Sequence, residues 1–246
     1  MDRIFSEIFT DLPRQGPGDV LLTRKCFESI ANLQDRKSVL DVGCGTGFQT
    51  VYLALSSDFS ITAVDNHQPY LDELDQRAKD LNLSHRIVTR SMSMENLLLA
   101  EASFDIILSE GAIYIMGVEN GLNHWKQFLK PEGHIIFSDL CWVKRPKDNE
   151  LIDFWRQEYP SMMSLEEMER TILVNGYRIV DKHMLSNHGW VNNYYYPLQL
   201  NVIKCRSKYA DDLEALGAIG SVQKEIDLFY KYNEYFSYFF FVVGLE

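Results

Sequence analysis

A chain of 246 residues, 46% of them hydrophobic, is long enough for one α/β domain with a full core. Its 24 Lys and Arg against 35 Asp and Glu give a net charge of −11, which disfavours nucleic-acid partners. The cysteines at positions 26, 44, 141 and 205 have neither disulfide nor metal-ligand spacing, and no apolar run is long enough to cross a bilayer. We therefore expect a cytoplasmic protein without a metal site.

From residue 38 onward, short apolar runs alternate with amphipathic stretches, a pattern typical of a parallel sheet covered by helices on both faces. The pattern predicts strands over 39–42, 61–65, 86–89, 104–109 and 134–140, and helices over 48–55, 69–81 and 120–129. Ser164 and Glu167 form a capping-box pattern that begins a further helix, which ends at 175–176. Strands over 177–184 and the aromatic run 235–243 complete a seven-stranded, doubly wound α/β sheet.

The strongest motif is the glycine-rich loop Gly43-Cys44-Gly45-Thr46-Gly47, which follows the first strand and its acid, Asp41. A dinucleotide fingerprint has the spacing G-x-G-x-x-G and brings a pyrophosphate to a helix N-terminus, whereas this loop has G-x-G-x-G. A carboxylate beside the loop suits a positively charged ligand such as the amino acid portion of adenosylmethionine. Asp65 ends the second strand, where it can accept hydrogen bonds from both hydroxyls of a ribose. The alternative role for Asp65 is a helix cap.

On these residues the chain resembles the class I S-adenosylmethionine-dependent methyltransferases. It is similar, more narrowly, to a group of uncharacterised bacterial members, through Arg14-Gln15-Gly16-Pro17-Gly18 with Thr23, Ser109-Glu110-Gly111-Ala112-Ile113-Tyr114 and an aromatic C-terminal strand. The resemblance implies a Rossmann-like methyltransferase fold with a mostly parallel sheet whose last strand is antiparallel. It also implies S-adenosylmethionine as cofactor.

The resemblance further implies which residues contact each part of the cofactor. The methionine portion is assigned to Asp41, Gly43, Cys44, Gly45 and Gly47, the ribose to Asp65 and Asn66, and the adenine to Ser93 and Met94. For Ser93 and Met94 the alternative is ordinary loop and core packing. Gly16 is the candidate hinge of a lid over the cofactor.

We expect one domain over residues 1–246, with a cofactor-binding core at 38–145. Residues 1–37 and 183–234 do not follow the strand–helix alternation. We interpret the first segment as a helical, lid-like segment. The second is an insertion over the acceptor site, at the open end of the sheet where doubly wound folds bind ligands. An exposed aromatic surface on this insertion would also permit a homodimer.

Three residues are candidates for catalysis. Glu110 follows the fourth strand and can act as a base, orient an amine or bond the cofactor ammonium, with a structural acid as the alternative. Tyr114 lies one helical turn further, and His188 is a conceivable proton acceptor, with core packing and a plain exposed loop as the respective alternatives.

Trp142, Trp190 and Tyr194 are the candidate aromatic walls for a flat or cationic acceptor, although they suit a hydrophobic core equally well. The expected reaction is in-line methyl transfer from S-adenosylmethionine to a small-molecule acceptor, driven largely by positioning. A nicotinamide-dependent oxidoreductase, an aminopropyl transferase and a non-catalytic cofactor-binding module are the alternatives.

Overall fold

Seven strands form one sheet in the computed structural model of the protein, which describes residues 2–246; Met1, the first residue of the predicted lid-like segment, lies outside the described residues. The strands are β1 Ser38–Val42, β2 Ser60–Asp65, β3 Ile87–Ser91, β4 Phe104–Glu110, β5 Leu129–Trp142, β6 Tyr177–Met184 and β7 Phe236–Leu245. Their spatial order is β3-β2-β1-β4-β5-β7-β6.

The strand directions confirm the predicted fold class. β3, β2, β1, β4 and β5 pair in parallel, whereas β7 is antiparallel to both β5 and β6. The order reverses between β1 and β4, and the carboxyl ends of these strands flank the crevice in which doubly wound folds bind ligands.

Ten α-helices and one π-helix cover the sheet in the described residues. They are α1 Asp2–Ile8, α2 Val20–Glu28, α3 Phe48–Ser56, α4 Gln68–Asp80, α5 Val118–Trp125, α6 Asn149–Glu158, α7 Leu165–Val174, α8 Asn187–Trp190, the π-helix Val191–Tyr195, α9 Tyr196–Lys208 and α10 Leu213–Tyr232. The predicted capping box begins α7: the Glu167 amide donates to Ser164 Oγ, and the Glu167 carboxylate accepts from the Ser164 amide.

The central strands are buried on both faces because successive side chains of a strand point to opposite sides. Val39 and Ile106 enter the core beneath α2, α3 and α4, while Leu40 and Ile107 enter the core beneath α5 and α7. This double burial explains why the strands appear in the sequence as nearly continuous apolar runs.

The boundary between α5 and β5 differs from the prediction. The predicted helix 120–129 ends at Trp125 and continues as one 3₁₀ turn, and β5 begins at Leu129 instead of residue 134. β5 begins earlier because Phe104 of β4 pairs with Leu129. The pairing register shifts after this residue pair, and Glu132 adopts a left-handed φ of 61° in the irregular part. The segment expected to be a turn is therefore an irregular part of the strand.

The N-terminal segment and the segment before β7 pack against each other over one end of the sheet. α1 contacts α9 and α10, and the Asn201 amide donates hydrogen bonds to the backbone oxygens of Ile8 and Thr10 at 3.0 and 2.8 Å. Asn193 donates to the Gly18 oxygen at 2.8 Å. The two segments outside the alternation therefore form one cover.

Candidate cofactor and acceptor site

A cavity of about 430 Å³ lies at the carboxyl ends of β1, β2 and β4. Its lining includes most of the residues that the sequence singled out for the cofactor: Gly16, Gly43, Cys44, Gly45, Asp65, Asn66, Ser93, Met94 and Glu110. Tyr114 also lines it. The volume lies within the range of about 300–1,000 Å³ that is usual for ligand sites.

The glycine-rich loop needs its glycines for backbone and packing reasons at once. Gly43 and Gly47 both have a φ of +73°, which side-chain-bearing residues rarely adopt. A Cβ at Gly43 would lie 2.4 Å from the Cβ of Ala112, and one at Gly47 would lie 2.3 Å from Leu74 Cδ1. The loop can therefore keep its main chain against β4 and α4 only with glycine at these positions.

Asp41 lies beneath this loop and not on the cavity wall. It is fully buried, and its Oδ2 accepts hydrogen bonds from Thr50 Oγ1 at 2.5 Å and from Gln49 Nε2 at 3.4 Å. Its Oδ1 has no partner among residues 2–246. Burial raises the pKa of Asp41 to about 7. The acid next to the loop is thus held by α3, with one oxygen left unpaired.

Asp65 is fixed at the cavity wall by two backbone amides. Its Oδ2 accepts from the Gly45 amide and its Oδ1 from the His67 amide, both at 2.9 Å. A carboxylate oxygen has two lone pairs, so each oxygen can still accept one more hydrogen bond. Asp65 therefore both joins the glycine loop to β2 and presents acceptors to the cavity.

Ser93 and Met94 line the wall that follows β3. The indole of Trp125 donates to the Met94 backbone oxygen at 3.3 Å, and Ser93 Oγ accepts from the Glu95 amide at 3.3 Å. The loop is thereby held in place from α5.

Residues 14–17 form another side of the cavity, with Gln15 beside Gly45 of the glycine loop, and two contacts hold them there. Arg14 Nη2 donates to Glu110 Oε2 at 2.6 Å, with side-chain exposures of only 6% and 1%. The Tyr70 hydroxyl donates to Gln15 Oε1 at 3.1 Å. The segment therefore spans the cavity from β4 to α4.

Of the three catalytic candidates, Glu110 has both oxygens engaged. Arg14 bonds Oε2, and the Thr23 hydroxyl donates a short hydrogen bond to Oε1. Its observed role is to anchor the N-terminal segment, because Arg14 and Thr23 each bond one of its oxygens. Tyr114 is 42% exposed at the cavity. His188 is exposed in α8, away from the cavity lining.

The three aromatic candidates pack against other aromatic rings. Trp190 is 2% exposed and stacks between Tyr195 and Phe229, with ring centroids 5.5 and 4.8 Å away, so it belongs to the core and not to the cavity wall. Trp142, half-buried at the end of β5, packs edge-on against Phe236. Tyr194 is 6% exposed and packs against Tyr195, with ring centroids 5.3 Å apart, so it also belongs to the core.

Several site residues were missed from the sequence. Arg14, Gln15, Tyr70 and Ala112 line the cavity, although only Gly16 of the N-terminal segment was singled out for it. The segment 14–18 carried part of the family resemblance, so a signal for Arg14 was present. Tyr70 had none, because a tyrosine in the first turn of α4 is an ordinary helix residue.

Comparison with known proteins agrees with the geometry. Residues 39–133 match the family described as Methyltransferase domain. Over 148 residues the chain is 26% identical to an O-methyltransferase of Pyrenophora dematioidea, covering 58% of this chain and 55% of that protein. It is 28% identical over 138 residues to phosphoethanolamine N-methyltransferase 1 of Arabidopsis thaliana, covering 56% of this chain and 28% of that protein.

The chain thus spans about half the length of one curated relative and about a quarter of the other. Among solved structures, it is similar in fold to an S-adenosylmethionine-dependent methyltransferase of Geobacter sulfurreducens in complex with S-adenosyl-L-homocysteine. The TM-score is 0.84 at 19% identity, covering 100% of this chain and 99% of that one.

No helix within residues 2–246 is long and apolar enough to cross a membrane. No group of three or more His, Cys, Asp or Glu side chains in the same range has an arrangement that could hold a metal ion. The sheet order, the glycine-rich loop and the matched residues 39–133 thus identify a methyltransferase domain in this chain, in a fold similar to that of S-adenosylmethionine-dependent methyltransferases.

Proposed function

We propose that this protein transfers a methyl group from S-adenosylmethionine to a small-molecule acceptor. The observation that carries the proposal is the covered cavity at the carboxyl ends of β1, β2 and β4, with the glycine-rich loop and Asp65 on one wall and Tyr114 on another. Bound S-adenosylmethionine supplies an electrophilic methyl group on a sulfonium. The protein's own contribution is to bind, orient and exclude water.

The side chains fit this cofactor. Asp65 has a lone pair free on each oxygen for the two ribose hydroxyls, since its present bonds come from backbone amides. Asp41 lies beneath the glycine-rich loop and outside the cavity lining, so its ionised form would favour the ammonium of the methionine portion by charge and not by contact. Ser93 and Met94 would flank the adenine, where Ser93 offers a hydroxyl and Met94 a polarisable thioether.

Residues 1–37 serve as a lid in this proposal. Arg14 and Gln15 hold the segment across the cavity through Glu110 and Tyr70. A closed segment keeps water away from the reacting atoms, which favours transfer to the acceptor. Residues 183–234 cover the adjoining end of the sheet, where the Asn193 amide donates to the Gly18 oxygen at 2.8 Å.

A small molecule is the proposed acceptor, because the enclosed cavity and the net charge of −11 both disfavour a nucleic acid. We also propose that the protein works in the cytoplasm, since all four cysteines are free and buried. A homodimer through the exposed Tyr196 and Ile203 of α9 belongs to the same proposal.

The test is thermal unfolding with S-adenosylmethionine, S-adenosylhomocysteine, NAD or NADP. A ligand at about 100 times its Kd adds roughly 2.7 kcal/mol of stability. We expect only the two adenosyl compounds to stabilise the wild type. The effect should be lost in Asp65→Ala and kept in Asp72→Ala, whose side chain is exposed on α4 outside the cavity lining.

Stabilisation by a dinucleotide instead would refute the proposal in favour of the oxidoreductase. Loss of the methyl group from S-adenosylmethionine in the presence of an acceptor then separates an enzyme from a non-catalytic binding module. Binding without turnover against any acceptor class would favour the module.

A further inference from the structure

We propose that the free nitrogen of the Arg14 guanidinium, Nη1, binds the carboxylate of an α-amino acid group in the cavity, and that this group is the methionine portion of the cofactor. Arg14 is then a binding residue as well as an anchor of the N-terminal segment. The inference rests on the proposed methyl transfer and assigns one more residue to that same site.

Arg14 is buried at the cavity wall with hydrogen-bond donors left over. Its side chain is 6% exposed, and the residue lines the cavity. Nε donates to the Gly16 oxygen at 3.3 Å and Nη2 to Glu110 Oε2 at 2.6 Å, whereas Nη1 has no partner within residues 2–246. Buried donors normally have a partner, and leaving one unmatched is costly, above all on a charged group. An acceptor atom of a ligand in the cavity would satisfy Nη1.

Two neighbours hold the guanidinium in place. A Cβ at Gly18 would overlap it, so glycine at this position lets the main chain lie against the guanidinium. The guanidinium carbon also lies 5.7 Å from the centroid of the Phe48 ring, at the start of α3. Arg14 therefore presents a fixed fork of donors, the geometry that suits a carboxylate.

The N-terminus of α3 is a second feature that favours an anion at this place. Phe48 and Gln49, the first two residues of the helix, both line the cavity. The preceding Gly47 provides no side chain to cap the helix, and the first backbone amides of a helix have no partner within it. Such amides carry partial positive charge and attract anions. Arg14 and α3 thus favour the same ligand charge.

The charges around Arg14 define which anion fits. Three acids line the cavity, Asp65, Glu95 and Glu110, and Arg14 is the only lysine or arginine among its described lining residues. A simple anion at Nη1 would lie next to the Glu110 carboxylate, which Nη2 binds, and the two negative charges would repel each other. A ligand with an ammonium beside its carboxylate pairs with both members of the ion pair. An α-amino acid group has this pair of charges.

The position of Arg14 assigns this group to the cofactor. Ser93 and Asp65, the proposed adenine and ribose contacts, lie at the carboxyl ends of β3 and β2. The sheet continues with β1 and β4, so the cavity extends from Ser93 past Asp65 to the glycine-rich loop and then to Glu110. Arg14 bonds Glu110 and lies near Phe48, directly after the loop. The part of the cofactor left for this end of the cavity is the methionine portion.

The test compares S-adenosylhomocysteine with S-adenosyl-3-thiopropylamine, an analogue that lacks only the carboxylate, by calorimetric titration. We expect the wild type to bind S-adenosylhomocysteine at least about tenfold more tightly, the usual effect of a hydrogen bond to a charged group. Arg14→Met should remove most of that preference. A purely structural role of Arg14 would instead weaken the binding of both ligands by the same factor and keep the preference.

Two variants control for the loss of charge and for loosening of the N-terminal segment. Arg24→Met removes the same charge from an exposed position on α2, and Tyr70→Phe removes the contact to Gln15 that holds the segment across the cavity. Both should keep the preference. If Arg14→Met does not fold, the double variant with Glu110→Gln, which removes both charges of the buried pair, should lose the preference in the same way.

An α-amino acid acceptor would carry the same pair of charges, so a second titration separates the two sources. Protein saturated with S-adenosylhomocysteine is titrated with glycine, which we expect not to bind, because Nη1 is then already engaged. Equal wild-type affinities for the two adenosyl compounds, together with glycine binding that Arg14→Met abolishes, would overturn the assignment to the cofactor in favour of an acceptor carboxylate.

A preference that survives in Arg14→Met, or equal affinities without glycine binding, would overturn any binding role for Arg14 and leave the methyltransferase proposal intact. Failure of both adenosyl compounds to bind the wild type would overturn the proposed function, and the assignment of Arg14 with it.

Discussion

The ion pair between Arg14 and Glu110 should be a main support of the cover over the cavity. The two side chains are 6% and 1% exposed, and their 2.6 Å contact joins the N-terminal segment to the end of β4. Removing one partner leaves a buried charge without compensation, which costs about 3–5 kcal/mol. We therefore expect Arg14→Met and Glu110→Gln each to lower the free energy of unfolding by that amount.

The double variant distinguishes this pair from two independent contacts. Because it removes both charges, Arg14→Met with Glu110→Gln should cost less than the sum of the single variants by about 2 kcal/mol or more. Urea denaturation followed by tryptophan fluorescence measures all four states. The exposed pair Arg24–Glu28, with side-chain exposures of 58% and 54%, is the matched control. The equivalent changes there should cost at most about 0.5 kcal/mol.

Additive single effects of under about 1 kcal/mol each would refute this reasoning, because they would mean that water already solvates both charges. The N-terminal segment would then not be anchored through β4. With an anchored segment, each single variant should also lose part of the stabilisation by S-adenosylhomocysteine, since residues 14–17 form one side of the cavity.

Three further predictions concern single positions. Burial raises the pKa of Asp139 from its ordinary 3.8 to about 7, so the stability from its bound proton is complete below pH 4 and lost as the pH rises through 7. Relative to wild type, Asp139→Asn should therefore gain about 2.5 kcal/mol between pH 5 and pH 8 in urea unfolding, and a constant difference would contradict the raised pKa. Gly47→Ala should lower the unfolding free energy by about 2–4 kcal/mol, because φ is +73° and the new Cβ would meet Leu74. Gly217→Ala, in open space within α10, should instead be neutral or stabilising by up to about 1 kcal/mol in the same assay. Ser164→Ala removes the capping box of α7 and should cost about 1 kcal/mol, measured by thermal unfolding, whereas Ser164→Thr should keep most of it.

The local features of the site follow from short stretches of sequence. The glycine-rich loop, Asp41 and Asp65 belong to strand–loop–helix units whose residues are neighbours along the chain. Strand direction followed from the alternation of apolar runs with helical patterns, and the antiparallel last strand from the family resemblance. Such patterns show how often apolar side chains recur along a helix or strand and which of its faces are buried. They therefore predict the fold class and one wall of the cavity.

Tertiary packing decided the rest. Arg14 and Glu110 are 96 positions apart, and their pairing depends on how the N-terminal segment crosses β4. Trp190 and Tyr194 belong to one aromatic stretch, and both enter the core, where each ring packs against that of Tyr195. Sequence periodicity carries no record of such long-range contacts, which depend on the shapes of the elements that meet. The sequence by itself therefore determined the glycine-rich loop and the sheet, and only the tertiary structure decided which residues close the cavity and which aromatic side chains enter the core.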